Sequence, residues 1–343
     1  MRWWQNLALG LTVALLAVGG LAACGNSGPP SSAPSGPPPP AGWAIFWHLP
    51  GVVDLAGPRA DGSFLVAAAG RLLVLARDGT LSPFARGADG YQTATGTEPY
   101  LTLASGDPVQ GERCSFGDGT AFAIEPGTHP GVIMISPDGR ARRFASLPPD
   151  LAPSGIAFDG TGRFGHRLLV TAGFRGRATV LGLGCDGQVS MIAAGLPGVE
   201  GGIAVAPATF GRFGGDLIAP DEGTGLVYAV DPAGTVVTLA RSGLPAGGDI
   251  GVESAGFVPA GAAAAYLSDR FSGRNKHPGD NAILRLTAAE LARSGIRAGD
   301  LLVATEGSAR TIDVRCAAAC AVRYVAAGPA IAHAEGHIVF TSS

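Results

Sequence analysis

Residues 155–197 read GIAFDGTGRFGHRLLVTAGFRGRATVLGLGCDGQVSMIAAGLP, and residues 202–245 read GIAVAPATFGRFGGDLIAPDEGTGLVYAVDPAGTVVTLARSGLP. The two stretches share one order: Gly-Ile-Ala, then Gly-Arg-Phe-Gly, an apolar run, a turn, a second apolar run, an Asp- and Gly-containing turn, and a third run ending in Gly-Leu-Pro. Each apolar run spans about five to seven residues, is rich in Val, Ile, Leu and Thr, and is bounded by Gly or Asp-Gly punctuation, which is the chemistry of short strands joined by tight turns. With the Gly-Ile-Ala run as the first strand, each stretch supplies four antiparallel strands.

Weaker copies flank this pair at residues 62–86, 131–147 and 255–286, and residues 299–328 add three more strand-like runs. A period near 48 residues fits about six times from Val52 to the end, and four-stranded units at ~40–50 residues are the blades of a propeller. The expected fold is therefore an all-β, six-bladed β-propeller of four-stranded antiparallel blades, with five or seven blades left open by the phase at the closure. The aromatic-rich segment AGWAIFWHLP (41–50) is expected to pair with HIVF (337–340) and close the ring. One helix signal stands out: Thr287 and Glu290 form a capping box over Ala288–Arg293, stopped near Gly295.

Gly (54) and Pro (26) make up roughly a quarter of the 343 residues, against ~12% in an average protein. Hydrophobic residues are 46% and charged residues only 15%, so the chain can bury enough surface to offset its ordering entropy. The net charge of −3 and the lack of a dense Lys/Arg cluster leave no electrostatic footprint for nucleic acid.

The N-terminus carries one Arg, an apolar run from Leu7 to Ala23, and small residues at a cleavage position, which is a signal peptide. Leu21-Ala22-Ala23-Cys24 resembles a bacterial lipobox, which implies lipidation of Cys24 and a membrane-anchored protein of the cell envelope. The expected organisation is a signal peptide at 1–23, a Pro/Gly/Ser-rich tether at 24–42, and a propeller domain at 43–343. The other four cysteines suit an oxidising compartment. Cys316 and Cys320, in RCAAAC between two strand-like runs, read as a hairpin-capping disulfide. Cys114 and Cys185 supply a second pair whose connectivity the sequence leaves open. Zinc ligation competes for all four, without any CxxC spacing to support it.

Residues at one phase of a propeller repeat occupy equivalent places around the central channel. The starts of the inner strands align as GTEPYLTL, LAPSGIAF, GVEGGIAV, GVESAGFV, HAEGHIVF and GVVDLAGP. Four carry Glu at one position, namely Glu98, Glu200, Glu253 and Glu335, whereas Pro153 replaces it in one blade and Asp54 falls a residue away in another. Converging anions in a partly dehydrated channel must take up protons, pair with cations or bind a metal. An all-carboxylate set favours Ca²⁺; the bland reading is a latch in which each Glu accepts backbone hydrogen bonds at a blade junction. His333 and His337 flank Glu335 at spacings of two, which on a regular strand turns all three side chains to one face. That set brings Zn²⁺ or general acid/base work into play, with the two histidines as candidate catalytic groups. Asp221 and Glu222, Asp269 and Arg270, and the polar loop from Arg270 to Asn281 follow strands on one face. They read first as solvated excursions and second as a cover for the channel mouth.

On its GxLLV, LVYAVDPAGTV and GIAV units, the chain resembles the six-bladed superfamily that includes NHL-repeat proteins and the senescence marker protein/gluconolactonase group. The resemblance covers nearly all of the mature chain and implies two functions. One is a binding propeller that holds a small molecule, glycan or protein on its channel face, with a divalent cation on the axis, acting as a monomer. The other is a metal-dependent lactonase-like hydrolase or lyase. Such lactonases hold the cation with a Glu plus Asn and Asp, whereas Ser154 and Ser254 follow the repeated phase here, which favours the binding reading. No GxSxG elbow or phosphate-cradling loop is present.

Overall fold

A computed structural model describes residues 41–94, 97–174 and 176–342; the expected signal peptide, the candidate lipidation site Cys24 and the expected tether up to residue 40 lie outside the described residues. Strand pairing begins at β1 (Ala41–Gly42) and β2 (Ala44–His48), just inside the expected tether boundary. Blade I is β3 (Val52–Ala56), β4 (Phe64–Ala68), β5 (Arg71–Leu75) and β6 (Leu81–Phe84). Blade II is β7 (Leu101–Leu103), β8 (Ala121–Glu125), β9 (Gly131–Ile135) and β10 (Ala141–Ser146). The two diagnostic repeats fold as blade III, β11 (Ala152–Phe158), β12 (Leu168–Phe174), β13 (Arg177–Leu183) and β14 (Val189–Pro197), and blade IV, β15 (Ala204–Val205), β16 (Leu217–Asp221), β17 (Leu226–Val230) and β18 (Val236–Arg241). All four blades are antiparallel meanders built from consecutive strands.

The last two blades are interleaved. β19 (Val252–Phe257) is the inner strand of blade V, but the chain next crosses to blade VI for β20 (Ala262–Asp269) and β21 (Ala282–Thr287). After α1 (Ala288–Arg293) it returns to blade V for β22 (Leu301–Thr305), β23 (Thr311–Cys316) and β24 (Cys320–Ala327), and β25 (Ala334–Ser342) then supplies the inner strand of blade VI. The sequence order of runs suggested one blade after another; instead β19 pairs with β22, and β20 with β25. The closure also differs from expectation. β2 pairs antiparallel with β21 at the outer edge of blade VI, while the 337–340 segment lies in β25 at the opposite edge of that sheet. β1 adds a parallel pair to β24, making blade V five-stranded, and Trp43 between them is buried with Nε1 donating to Thr311 Oγ1 at 2.8 Å. Six sheets, mostly four-stranded and antiparallel, make this a six-bladed β-propeller.

The burial pattern follows from stacking blades face to face. Strands β3, β4, β16 and β22 are buried along their whole length, because each face meets a neighbouring blade, and their sequences are mainly apolar without alternation, Asp54, Asp221 and Thr305 being the polar residues among them. Between blades II and III the filling is aromatic, with Phe116 edge-on to Phe122 and Phe158 at centroid distances of 5.3 and 5.2 Å. Turn chemistry is as local as the sequence implied: Asp231 Oδ1 accepts from the N–H groups of Ala233 (2.9 Å) and Thr235 (2.8 Å), and Gly234 takes the positive φ of 83° that the turn needs. The helix carries both halves of its capping box. Cys316–Cys320 caps the β23–β24 hairpin and Cys114–Cys185 ties blade II to blade III, so all four cysteines are in disulfides, which points to an extracytoplasmic, oxidising compartment.

Candidate functional site

All six inner strands start at one end of the channel, and there the carboxylates gather. Glu200 and Glu335 are each followed by a glycine at φ +71° (Gly201 and Gly336), a left-handed step just after the acid. An added Cβ at Gly336 would lie 2.2 Å from Asp54 Oδ1, so the backbone there is held tightly against blade I.

Glu253 and Glu335 meet at the fully buried Tyr100, whose hydroxyl lies 2.9 Å from Glu253 Oε1 and donates to Glu335 Oε1. Burial, together with the charges of Glu335 and Glu306, pushes Glu253 well above the carboxylate range, so it keeps its proton. Burial acts to raise Glu335 as well, but the hydrogen bond from Glu253, the Arg270 charge and the Tyr100 hydroxyl hold it below its ordinary value as the ionised partner. Arg270, at the end of β20, ties Glu335 to Glu98: its Nη1 donates to Glu98 Oε1 and lies 3.2 Å from Glu335 Oε2. Glu98 is nonetheless raised, by burial and then by Glu335, against the pull of Arg270.

On the other side of Glu335 stands His333, with Nε2 2.8 Å from Glu306 Oε1 and 3.7 Å from Glu335 Oε2. Asn275 Nδ2 donates to His333 Nδ1 at 3.1 Å, which leaves the Nε2 hydrogen for Glu306. Glu306, His333 and Glu335 are all buried, and one donor atom from each lies within 4.8 Å of the others, a spacing that fits a metal ion. Burial, then the Glu335 charge and a hydrogen bond with Glu222, push Glu306 up to about 10. Glu200 faces a groove of about 880 Å³ across blades II to IV, next to Glu222, and burial followed by the Glu222 charge raises it to about 7. Six glutamates thus share one mouth with Arg270 as the cation bonded to them among the described residues, and His333 as a hydrogen-bond donor.

His337 does not join them. The register of β25 shifts between its pairs with Ser268 and Tyr266, and with Gly336 bending the chain, the imidazole turns into the blade I junction. Its Nδ1 lies 2.9 Å from Asp54 Oδ2 and its Nε2 2.8 Å from the Ile156 carbonyl. Both partners only accept, so both ring nitrogens carry hydrogen. Against a burial that acts to lower it, Asp54 raises the pKa of His337 above 6.5, as befits an imidazolium. Asp54 also accepts from Leu101 N–H (2.6 Å) and His337 N–H (2.7 Å), making a latch across blades I, II, III and VI.

Four participants were not singled out by the repeat phase: Tyr100, Arg270, Glu222 and Glu306. Tyr100 carried a signal, being the one tyrosine in the aligned inner-strand starts. The loop from Arg270 to Asn281 does sit at the mouth, where Arg270 and Asn275 reach the acids. Glu306 follows β22 in ATEGSAR and repeats nowhere.

No protein-family model and no curated protein matches this sequence. Among solved structures, the chain is similar to a catalytically inactive virginiamycin B lyase from Staphylococcus aureus with quinupristin, at 12% identity over 84% of this chain and 77% of that one, with a TM-score of 0.49. It is also similar to a gluconolactonase from Xanthomonas campestris, at 15% identity over 75% of this chain and 99% of that one, with a TM-score of 0.36. At these identities the likeness concerns the fold alone.

Proposed function

We propose that the protein is an extracytoplasmic binding propeller, tethered to the membrane through a lipid on Cys24, whose acidic mouth takes up a divalent cation and holds a small-molecule ligand beside it. The observation that carries the reading is the buried Glu306–His333–Glu335 set with its closely spaced donor atoms. Two carboxylate oxygens and one imidazole nitrogen suit Zn²⁺ or Mn²⁺ better than the Ca²⁺ expected from an all-glutamate ring, because Ca²⁺ prefers six to eight oxygens. The site also needs the charge. Glu98, Glu200, Glu253 and Glu306 are all raised by burial and mutual repulsion, and a cation would relieve that repulsion.

The chain's own residues have separable parts in this. Glu306, His333 and Glu335 hold the ion; Tyr100 and protonated Glu253 fix the orientation of Glu335 from behind; Arg270 balances Glu98 and Glu335; and the groove admits the ligand. Metal analysis of the purified protein, followed by thermal unfolding with and without EDTA, tests the reading. A stoichiometric ion and a melting temperature lowered by EDTA support it; no ion and no response to EDTA or to added Mn²⁺ and Zn²⁺ overturn it. A lactone-hydrolysis screen on the metal-loaded protein separates binding from turnover.

A further inference from the structure

The chain enters the propeller at its outer rim, away from either mouth of the channel. Residues 41–48 run along the outer edges of two blades: β1 pairs with β24 on blade V, and β2 continues as the outermost strand of blade VI. The helix α1 packs beside them, against β1 and β21. Its end is tied to β24, where Ser294 Oγ donates to the Val325 carbonyl at 3.2 Å and Arg323 Nη2 to the Gly295 carbonyl at 3.1 Å. One continuous surface results, made of β1, β2, β24 and α1.

Three large hydrophobic side chains stand out from it: Ile45 and Trp47, each 40% exposed on β2, and Tyr324, 50% exposed on β24. Anchoring the strand does not require them. Phe46, between the first two, already packs on Tyr266 at a centroid distance of 5.5 Å, with the Arg285 guanidinium 4.5 Å over its ring. An indole and a phenol beside the point where the chain enters are the rings that favour a membrane–water interface, with an apolar body and a polar tip. The charges on this surface suit the same partner. Arg293, in the last turn of α1, and Arg297 beyond it are exposed, and their guanidinium groups bond to no acid side chain among the described residues. The acids nearby are already engaged: Glu290 in the capping box, and the buried Asp300 and Asp313 under Arg315 and Arg323.

We propose that the rim of blades V and VI rests on a bilayer containing anionic phospholipid, with Ile45, Trp47 and Tyr324 entering the headgroup region and Arg293 and Arg297 facing the phosphates. Apolar side chains flanked by arginines give an interfacial contact both of its terms, burial and attraction to anionic lipid. The inference rests on the reading that Cys24 carries a lipid. Residues 25–40 form a Pro-rich link that spans at most ~50 Å at ~3.1 Å per residue. A rim joined to the lipid by so short a link meets the bilayer at high effective concentration, so a weak contact suffices. A second copy of the chain is the competing occupant of an exposed edge strand. The register of β2 shifts between Ile45 and Trp47, a bulge that interrupts the regular ladder a strand-paired dimer needs, whereas a fluid bilayer imposes no register. Resting on its rim, the propeller keeps both channel mouths open to solvent.

The test is tryptophan fluorescence of the full chain reconstituted into vesicles of phosphatidylcholine brominated on its acyl chains, with and without phosphatidylglycerol. Bromine quenches indole on contact, and Trp43 is buried, so quenching that disappears in Trp47→Phe reports Trp47 at the bilayer. Wild type should show this component, more strongly with phosphatidylglycerol. The double variant Arg293→Glu with Arg297→Glu, at an unchanged melting temperature, should lower it by about half. Equal quenching in wild type and Trp47→Phe overturns the rim contact. So does a concentration-dependent dimer in sedimentation that shields Trp47 in place of lipid, and so does a Trp47 component indifferent both to phosphatidylglycerol and to the two arginines. The anchor is read separately, from the mass of the chain. A lipid on Cys24 without a Trp47 component keeps the anchor and removes the rim contact, whereas a Trp47 component with Cys24 unmodified supports the rim contact and removes the anchor.

Discussion

His333, just before β25, and His337, within it, lie four residues apart and beside similar acids, yet His337 completes a closed set of bonds and His333 faces a surplus of acids. At His337 both ring nitrogens and both Asp54 oxygens are bonded, with four blades tied at one point. At His333 the same chemistry is in surplus: one imidazole faces Glu306 and Glu335, with Glu222 and Glu253 crowded behind. A latch balances donors against acceptors, whereas a site leaves the balance to a ligand. The bend at Gly336 separates the two.

The comparison breaks most easily at the latch. Asp54→Ala leaves an imidazolium and two backbone N–H groups buried without their acceptor, and should cost ~3–5 kcal/mol in urea unfolding. Gly336→Ala comes next, because alanine at φ +71° is strained and its Cβ meets Asp54; a loss of about 1–3 kcal/mol is expected, with weaker Mn²⁺ binding as Glu335 shifts. Glu306→Gln comes third. Glu306, pushed up to about 10, already holds its proton in the metal-free protein, so the amide should change stability by less than about 1 kcal/mol while abolishing the response to Mn²⁺. Glu253→Gln should do least, within roughly 0.5 kcal/mol of wild type, since an amide replaces a carboxyl that already holds its proton.

The latch also has a pH signature. Because folding raises the pKa of His337, its contribution is fully present below the ordinary value of 6.5 and falls away as pH rises through the folded value. The stability difference between wild type and His337→Gln, measured by urea unfolding across that range, should therefore shrink toward alkaline pH. A difference that grows instead would mean that the imidazole is neutral in the fold.

The repeat made much of this architecture legible. GIA, GRFG and GLP recur at fixed phase in blades III and IV, and the phase of the inner strands located Glu98, Glu200, Glu253 and Glu335 at one end of the channel. The exchange of strands between blades V and VI was hidden, because β20–β21 and β22–β23 are both short apolar hairpins that could follow β19 equally well by pattern. The same limit hid the counter-charges. Arg270 and Glu306 reach the mouth only through that crossed connection, and periodicity predicts positions that repeat, not residues that occur once. His337 parts from Glu335 for a backbone reason: a spacing of two puts side chains on one face only while the strand stays regular, and the register shift beside Gly336 ends that regularity.

The most direct test of the account is a calorimetric titration of the metal-stripped full chain with Mn²⁺, in parallel with Glu306→Gln and Glu335→Gln. Wild type should bind one equivalent and neither variant any, with all three proteins folded. Absence of binding by wild type, or binding retained in both variants, would contradict it.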